Sequence, residues 1–128
     1  MPQQGLLDSS AVYRVTNPAT GQVISARVRV ADTLWARAKG LLGRVEMAPD
    51  EGLLITRCDS VHTFFMKFPI DLLYLDRDFR VVKMVLEMEP SRMSFCLGKS
   101  SQVLELRGGV TKNQTRLIGT VLKFEKQA

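Results

Sequence analysis

The chain has 128 residues, of which 45% are hydrophobic and 24% charged. These are the values of one ordinary globular domain and exclude a disordered, collagen-like or coiled-coil chain. The net charge of +5 comes from scattered Lys and Arg, with no basic arm and no interleaved aromatic platform, so no nucleic-acid partner is expected. No apolar run approaches the roughly 20 residues of a membrane span. The start, MPQQGLLDSS, lacks the basic and apolar regions of a signal peptide. The expectation is a cytoplasmic protein with a flexible tail over residues 1–10, one domain over 11–128, and free thiols at Cys58 and Cys96.

Residues 11–16 read as a first strand. Asn17, Pro18 and Gly21 make a turn, with Pro fixing φ and Gly free to take positive φ. Over residues 24–30, Ile24, Ala26, Val28 and Val30 alternate with Ser25, Arg27 and Arg29, the period of a half-buried strand. The two segments form a hairpin. Asp32 or Thr33 then caps a helix whose apolar face is Leu34, Ala38, Leu41 and Leu42, ending at Gly43. Gly40 inside it implies a close backbone approach. Strands follow at 53–56, 61–66, 70–75 and 81–88. Residues 70–75 are apolar on both faces apart from Asp71, as in a central strand. Residues 89–100, with Pro90, Gly98 and three serines, look the least regular. Another strand covers 102–106, a turn or short helix 107–114, and a final strand 118–124. The fold expected is mostly β (α+β): a curled antiparallel sheet forming a sandwich or open barrel, with one main helix on one side.

Candidate chemistry is concentrated in residues 58–76, CDSVHTFFMKFPIDLLYLD. Cys58, His62 and Met66 share one face of a strand and would suit a soft metal. On an extended strand, however, residues four apart are about 13 Å from each other, too far for one ion. No metal and no cofactor is therefore expected. His62 can titrate near neutrality and could serve as a general acid or base, or simply bond a carbonyl. Asp71 and Glu105 lie between apolar residues. A buried carboxylate needs a partner, and Arg37 and Arg44 are the natural ones. Met66, Met84 and Met88 read as core filler.

Several segments together resemble the DUF192 family of small prokaryotic domains. Lys39-Gly40-Leu41-Leu42-Gly43-Arg44 is similar to its GLMGR motif, and Gly52-Leu53-Leu54-Ile55 to the motif that follows. The block from Ser60-Val61-His62-Thr63-Phe64-Phe65-Met66 to Pro69-Ile70-Asp71-Leu72-Leu73-Tyr74-Leu75-Asp76 resembles its most characteristic stretch. Val103-Leu104-Glu105-Leu106-Arg107-Gly108-Gly109 resembles VLELPAG, and Ile118-Gly119-Thr120-Val121 the closing strand. Leu42 replaces a Met, and Arg107-Gly108 replaces Pro-Ala. A histidine at position 62 resembles the cytoplasmic branch; other members carry an aromatic there, which argues against a family-wide catalytic role for it. The resemblance implies a compact β-rich domain and no established activity. It singles out Arg44, Thr63, Met66, Asp71 and Glu105 as shared polar elements, with Gly40, Gly43, Gly52 and Gly109 around them. Arg44, Asp71 and Glu105 would form a polar cluster near the helix end, as a structural keystone or the floor of a groove.

The reading is a small binding or interaction domain without catalysis. Its groove would be lined by His62, Thr63, Phe64, Met66 and Asp71, and its partner would be a small molecule or a protein, not a membrane. The alternative is a hydrolase or transferase using His62 or Asp71 with Arg44. The lesser alternative is soft-metal binding by Cys58, His62 and Met66.

Overall fold

The computed structural model describes residues 7–33, 41 and 43–127. The expected helix falls on residues 32–42, so most of it, with Arg37, lies outside the described residues. The strands are β1 (Tyr13–Asn17), β2 (Gln22–Ala31), β3 (Glu51–Thr56), β4 (Ser60–His62), β5 (Ile70–Leu75), β6 (Val81–Met88), β7 (Met93–Phe95), β8 (Gln102–Arg107) and β9 (Lys123–Lys126). Seven of them form one sheet in the order β6-β5-β8-β3-β2-β1-β9, and β4 pairs with β7 in a second, two-stranded sheet. Among the described residues no helix is long and apolar enough to cross a membrane.

The hairpin β1–β2 turns where Asn17 and Gly21 predict. The Asn17 carbonyl accepts from Thr20 N and Gly21 N, and Gly21 takes a φ of 77°. The sheet is antiparallel except at β2–β3, which run parallel. The sheet is thus mostly antiparallel, as expected, with one parallel pair. A parallel pair needs a long crossover, which residues 32–50 supply.

β5 and β8 are buried on both faces, because each has a strand on either side and an apolar layer above and below. On the inner face, Val15, Val28, Leu54, Leu73, Leu75, Leu104 and Leu122 build one core. On the other, Met66, Phe68, Ile70, Leu72, Tyr74, Met88 and Val103 build a second, which Val61, Cys58 and Cys96 of the β4–β7 region help cover. The sheet curls but does not close as a barrel. A single bridge, Arg80 to Val121, ties the start of β6 to the run into β9, through Val81 N on Thr120 O and Gly119 N on Val81 O.

That bridge accounts for one difference from expectation. Residues 118–122 do not extend the last strand; they close on the start of β6, and the strand itself begins at Lys123. The strand expected over 61–66 stops at His62, because Met66 N bonds Thr63 O and residues 63–66 turn. The irregular-looking stretch 89–100 contains β7.

Gly52 sits on β3 between Val28 of β2 and Leu106 of β8. A Cβ there would lie 2.9 Å from Leu106 Cδ2, 3.0 Å from Val28 Cγ2 and 3.1 Å from Ser25 Oγ. Three neighbours from two flanking strands cannot all yield, so Gly52→Ala should destabilise by about 1–3 kcal/mol, the range for overpacking. Urea denaturation of the variant beside the parent measures this directly.

Candidate functional site

The residues singled out in the 58–76 segment part into an internal set and a surface set. Asp71, second residue of β5, is fully buried. Its Oδ1 accepts from Glu87 N and Gly109 N, each at 2.8 Å. Its Oδ2 accepts from Thr111 N at 3.0 Å and Thr111 Oγ1 at 2.6 Å. No cation is needed, because backbone donors converge on both oxygens. The carboxylate joins the β6 bulge, where Glu87 has a φ of 50°, to the turn after β8.

Thr63 is likewise buried. Its N donates to Arg92 O, its Oγ1 donates to Glu89 O at 2.6 Å and accepts from Arg92 N at 2.9 Å, and its carbonyl accepts from Ser91 N. It therefore fixes the end of β4 to the turn before β7. Met66 points into the outer core. Thr63, Met66 and Asp71 hold the fold's shape beneath any surface.

The polar cluster expected from Arg44, Asp71 and Glu105 does not form. Arg44 makes a two-pronged ion pair with Glu51 instead, with Nη2 to Oε1 at 2.9 Å. The Arg44 guanidinium holds the Glu51 carboxyl below the ordinary glutamate range, against an opposing effect of partial burial. Glu105 on β8 stands opposite Leu53 and Leu72. No hydrogen-bond donor among the described residues reaches it, and burial pushes its carboxyl up to about 7. Nearby, Tyr74 is fully buried and its hydroxyl has no hydrogen-bond partner among the described residues. Ser94 lies close to it without hydrogen-bonding geometry, and burial raises the phenol.

His62 is exposed at the end of β4, with its ring stacked on Phe64 at 5.3 Å between centroids and 24° between planes. Cys58 Sγ donates to Ser60 O, and Met66 is buried, so the three sulfur and nitrogen groups face different surroundings. Among the described residues no group of three His, Cys, Asp or Glu could hold a metal. Of the residues named for the catalytic alternative, Arg44 is paired with Glu51, Asp71 is fully buried and His62 is exposed.

Beside His62 the structure reveals a feature that strand-like patterning concealed. Phe65, at the tip of the 63–66 turn, has a φ of 66° and is 84% exposed. On β7, Met93 and Phe95 are exposed, and Leu97 follows them. The β4–β7 register sets His62 against Met93 and Ser60 against Phe95, so one outward face carries His62, Phe64, Met93 and Phe95. Five of the eight large hydrophobic residues exposed among those described fall within residues 64–97, a concentration of exposed apolar surface in this segment. Between β7 and β6 runs a groove of about 530 Å³ lined by Lys83, Val85, Met88, Arg92, Met93, Ser94 and Phe95.

Comparison with known proteins agrees with this architecture. A sequence model of DUF192, described as "Uncharacterized ACR", matches residues 15–124. A "UPF0127 protein" of Thermococcus sibiricus (strain DSM 12597 / MM 739) is 30% identical over 116 residues, 85% of this chain and 73% of that protein. A crystal structure of a protein of unknown function from Novosphingobium aromaticivorans DSM 12444 superimposes with a TM-score of 0.71 at 24% identity, covering 98% of this chain and 93% of the other. One from Sinorhizobium meliloti 1021, titled "a putative transcription regulator", gives 0.74 at 23% identity, covering 95% and 98%. At these identities the two structures establish the fold alone.

Proposed function

The chain belongs to the DUF192 family of uncharacterised proteins, and from that premise we propose that it is a non-catalytic binding domain whose contact surface is the outward face of the β4–β7 sheet. One observation carries the reading: Phe65 holds a left-handed backbone while its ring stands in solvent. That conformation costs a non-glycine residue on the order of 1 kcal/mol. An exposed ring recovers little of it from the fold itself. A phenylalanine in a turn that favours glycine makes sense where the ring meets another molecule. The His62–Phe64 stack, Met93 and Phe95 extend the same face, and aromatic and Met side chains are the anchors of protein interfaces.

A nucleic-acid role is less well supported. Arg27, Arg44, Arg57, Arg80 and Lys126 are ion-paired with Asp50, Glu51, Asp32, Asp76 and Asp8, which divides and neutralises much of the positive surface. The reading places the domain in the cytoplasm, where Cys58 and Cys96 stay reduced.

The test is a selection of displayed random peptides on the immobilised protein, with titration of those enriched. Phe65→Gly should weaken binding at least tenfold. Its melting temperature should stay within a few degrees of the parent, since relief of the backbone cost is offset by the roughly 0.5–1 kcal/mol entropic cost of glycine. Hydrolysis of the peptides would show an enzyme, and failure to enrich any peptide would remove the reading.

A further inference from the structure

The groove between β6 and β7 has the construction of a strand acceptor. β6 is the last strand of the seven-stranded sheet and β7 an edge of the two-stranded one. Beyond Val81, which is bonded to residues 119 and 120, no strand among the described residues pairs with the outer side of β6. The groove therefore runs beside one edge of β7 that is unpaired among the described residues, over side chains of β6. Such edges present backbone donors and acceptors ready to pair with another chain.

A detail of the groove shows which way the β7 edge faces. Lys83 Nζ, from β6, donates to Phe95 O at 2.7 Å. This carbonyl points away from β4 and across the groove, and at present a lysine ammonium serves it as a peptide N–H would. The floor is apolar: Val85 and Met88 from β6, Met93 and Phe95 from β7. The groove's two cations are Lys83 and Arg92, and among the described residues neither has a carboxylate within ion-pair distance. Its volume of about 530 Å³ falls within the usual range for ligand sites, about 300–1,000 Å³.

From this juxtaposition we propose that the groove takes an extended, acidic segment of a partner protein as an added strand, alternating apolar side chains with carboxylates. This rests on the binding-domain reading and names the partner of the same surface. On entry, a peptide N–H of the segment replaces the Lys83 ammonium on Phe95 O. Lys83 then turns to a carboxylate of the guest, with Arg92 available to a second. Backbone pairing supplies affinity and the two cations select sign, the division of labour seen in strand addition generally. A second copy of this chain fits less well, because it brings the same two cations and its own net charge of +5.

The experiment uses peptides enriched on the full chain, resynthesised with N-methyl groups on alternate backbone nitrogens. Acidic, alternating sequences are expected. Methylation on one set of alternate nitrogens should weaken binding at least tenfold, and methylation on the other set should do little. Lys83→Glu should reduce affinity for an acidic peptide at least tenfold and raise affinity for its Lys-substituted counterpart, with unchanged circular dichroism as the folding control. Peptides that bind without acidic residues, or that tolerate every N-methylation, would overturn the groove assignment. If they still depend on Phe65, the binding-domain reading survives alone. A dimer in light scattering that Lys83→Glu dissociates would assign the groove to a second copy instead. Absence of any bound peptide sinks both readings.

Discussion

Asp71→Ala should remove roughly 4–6 kcal/mol of stability, enough to leave much of the protein unfolded at room temperature. The side chain accepts from three backbone N–H groups and the Thr111 hydroxyl, the two bonds from Thr111 buried and those from Glu87 and Gly109 part-buried. Alanine leaves those donors facing apolar surroundings, and a buried unsatisfied donor costs about 1–3 kcal/mol. Domains of this size hold about 5–15 kcal/mol in total. Asp71→Asn keeps one carbonyl oxygen but turns an NH₂ toward donors, so it should fall between parent and alanine. Denaturant titration ranks the three. Amide hydrogen exchange locates the damage, with Glu87, Gly109 and Thr111 losing protection first. A loss below 1 kcal/mol for the alanine variant would show that water or rearranged backbone replaces the carboxylate.

Glu105 predicts a pH dependence of stability. Its carboxyl is raised from 4.5 to about 7 in the folded chain, with burial as the cause. Between those values the folded state holds a proton that the unfolded state has released. Stability therefore falls as pH rises through this window, and the contribution of the neutral acid is fully present only below about 4.5. Raising the carboxyl from 4.5 to about 7 corresponds to about 3 kcal/mol, at roughly 1.4 kcal/mol for each tenfold change in proton affinity. Glu105→Gln carries no proton to lose. The difference in unfolding free energy between parent and variant should change by about this much from pH 4.5 to 8, in favour of the glutamine. Taking the difference cancels the carboxylates held low by ion pairs, Asp50 and Glu51, whose stabilisation is lost on acidification in both proteins. A flat difference across the window would mean that Glu105 is ionised and paired in solution.

The contrast between these two acids marks how far residue patterns reach. β2, β5, β6 and β8 are legible because their apolar residues either alternate or run on unbroken, as sheet burial requires. The need of Asp71 for partners is legible too. Their identity is not, since backbone N–H groups carry no residue signature and Gly109 and Thr111 lie about forty positions away. Arg44 was expected to reach a buried acid and instead meets Glu51, seven residues on, at the surface. Phe64, Phe65 and Met66 favour strands by propensity, which hides the turn that Thr63 imposes through its bonds to residues 89–92. β7 escapes notice because three residues among serines and a proline offer no period to read. The exposed patch shares that origin: it sits where local preference and the final conformation disagree.

The position of β8 has a consequence for the order of events in folding. β8 enters between β3 and β5, so without it the chain can form the β1–β2 hairpin with β3, and the β5–β6 hairpin, but no sheet joining them. All contacts across the middle then await a strand made at residues 102–107, and β9 follows later still to cover β1. Pairings between such distant segments slow folding, because loops must close before contacts reward them. The strand that joins the halves also carries Glu105, which loses its water as β8 docks. At neutral pH that docking step either buries a charge or takes up a proton, so acidity should set the rate at which the two halves become one sheet more than the rate at which they part.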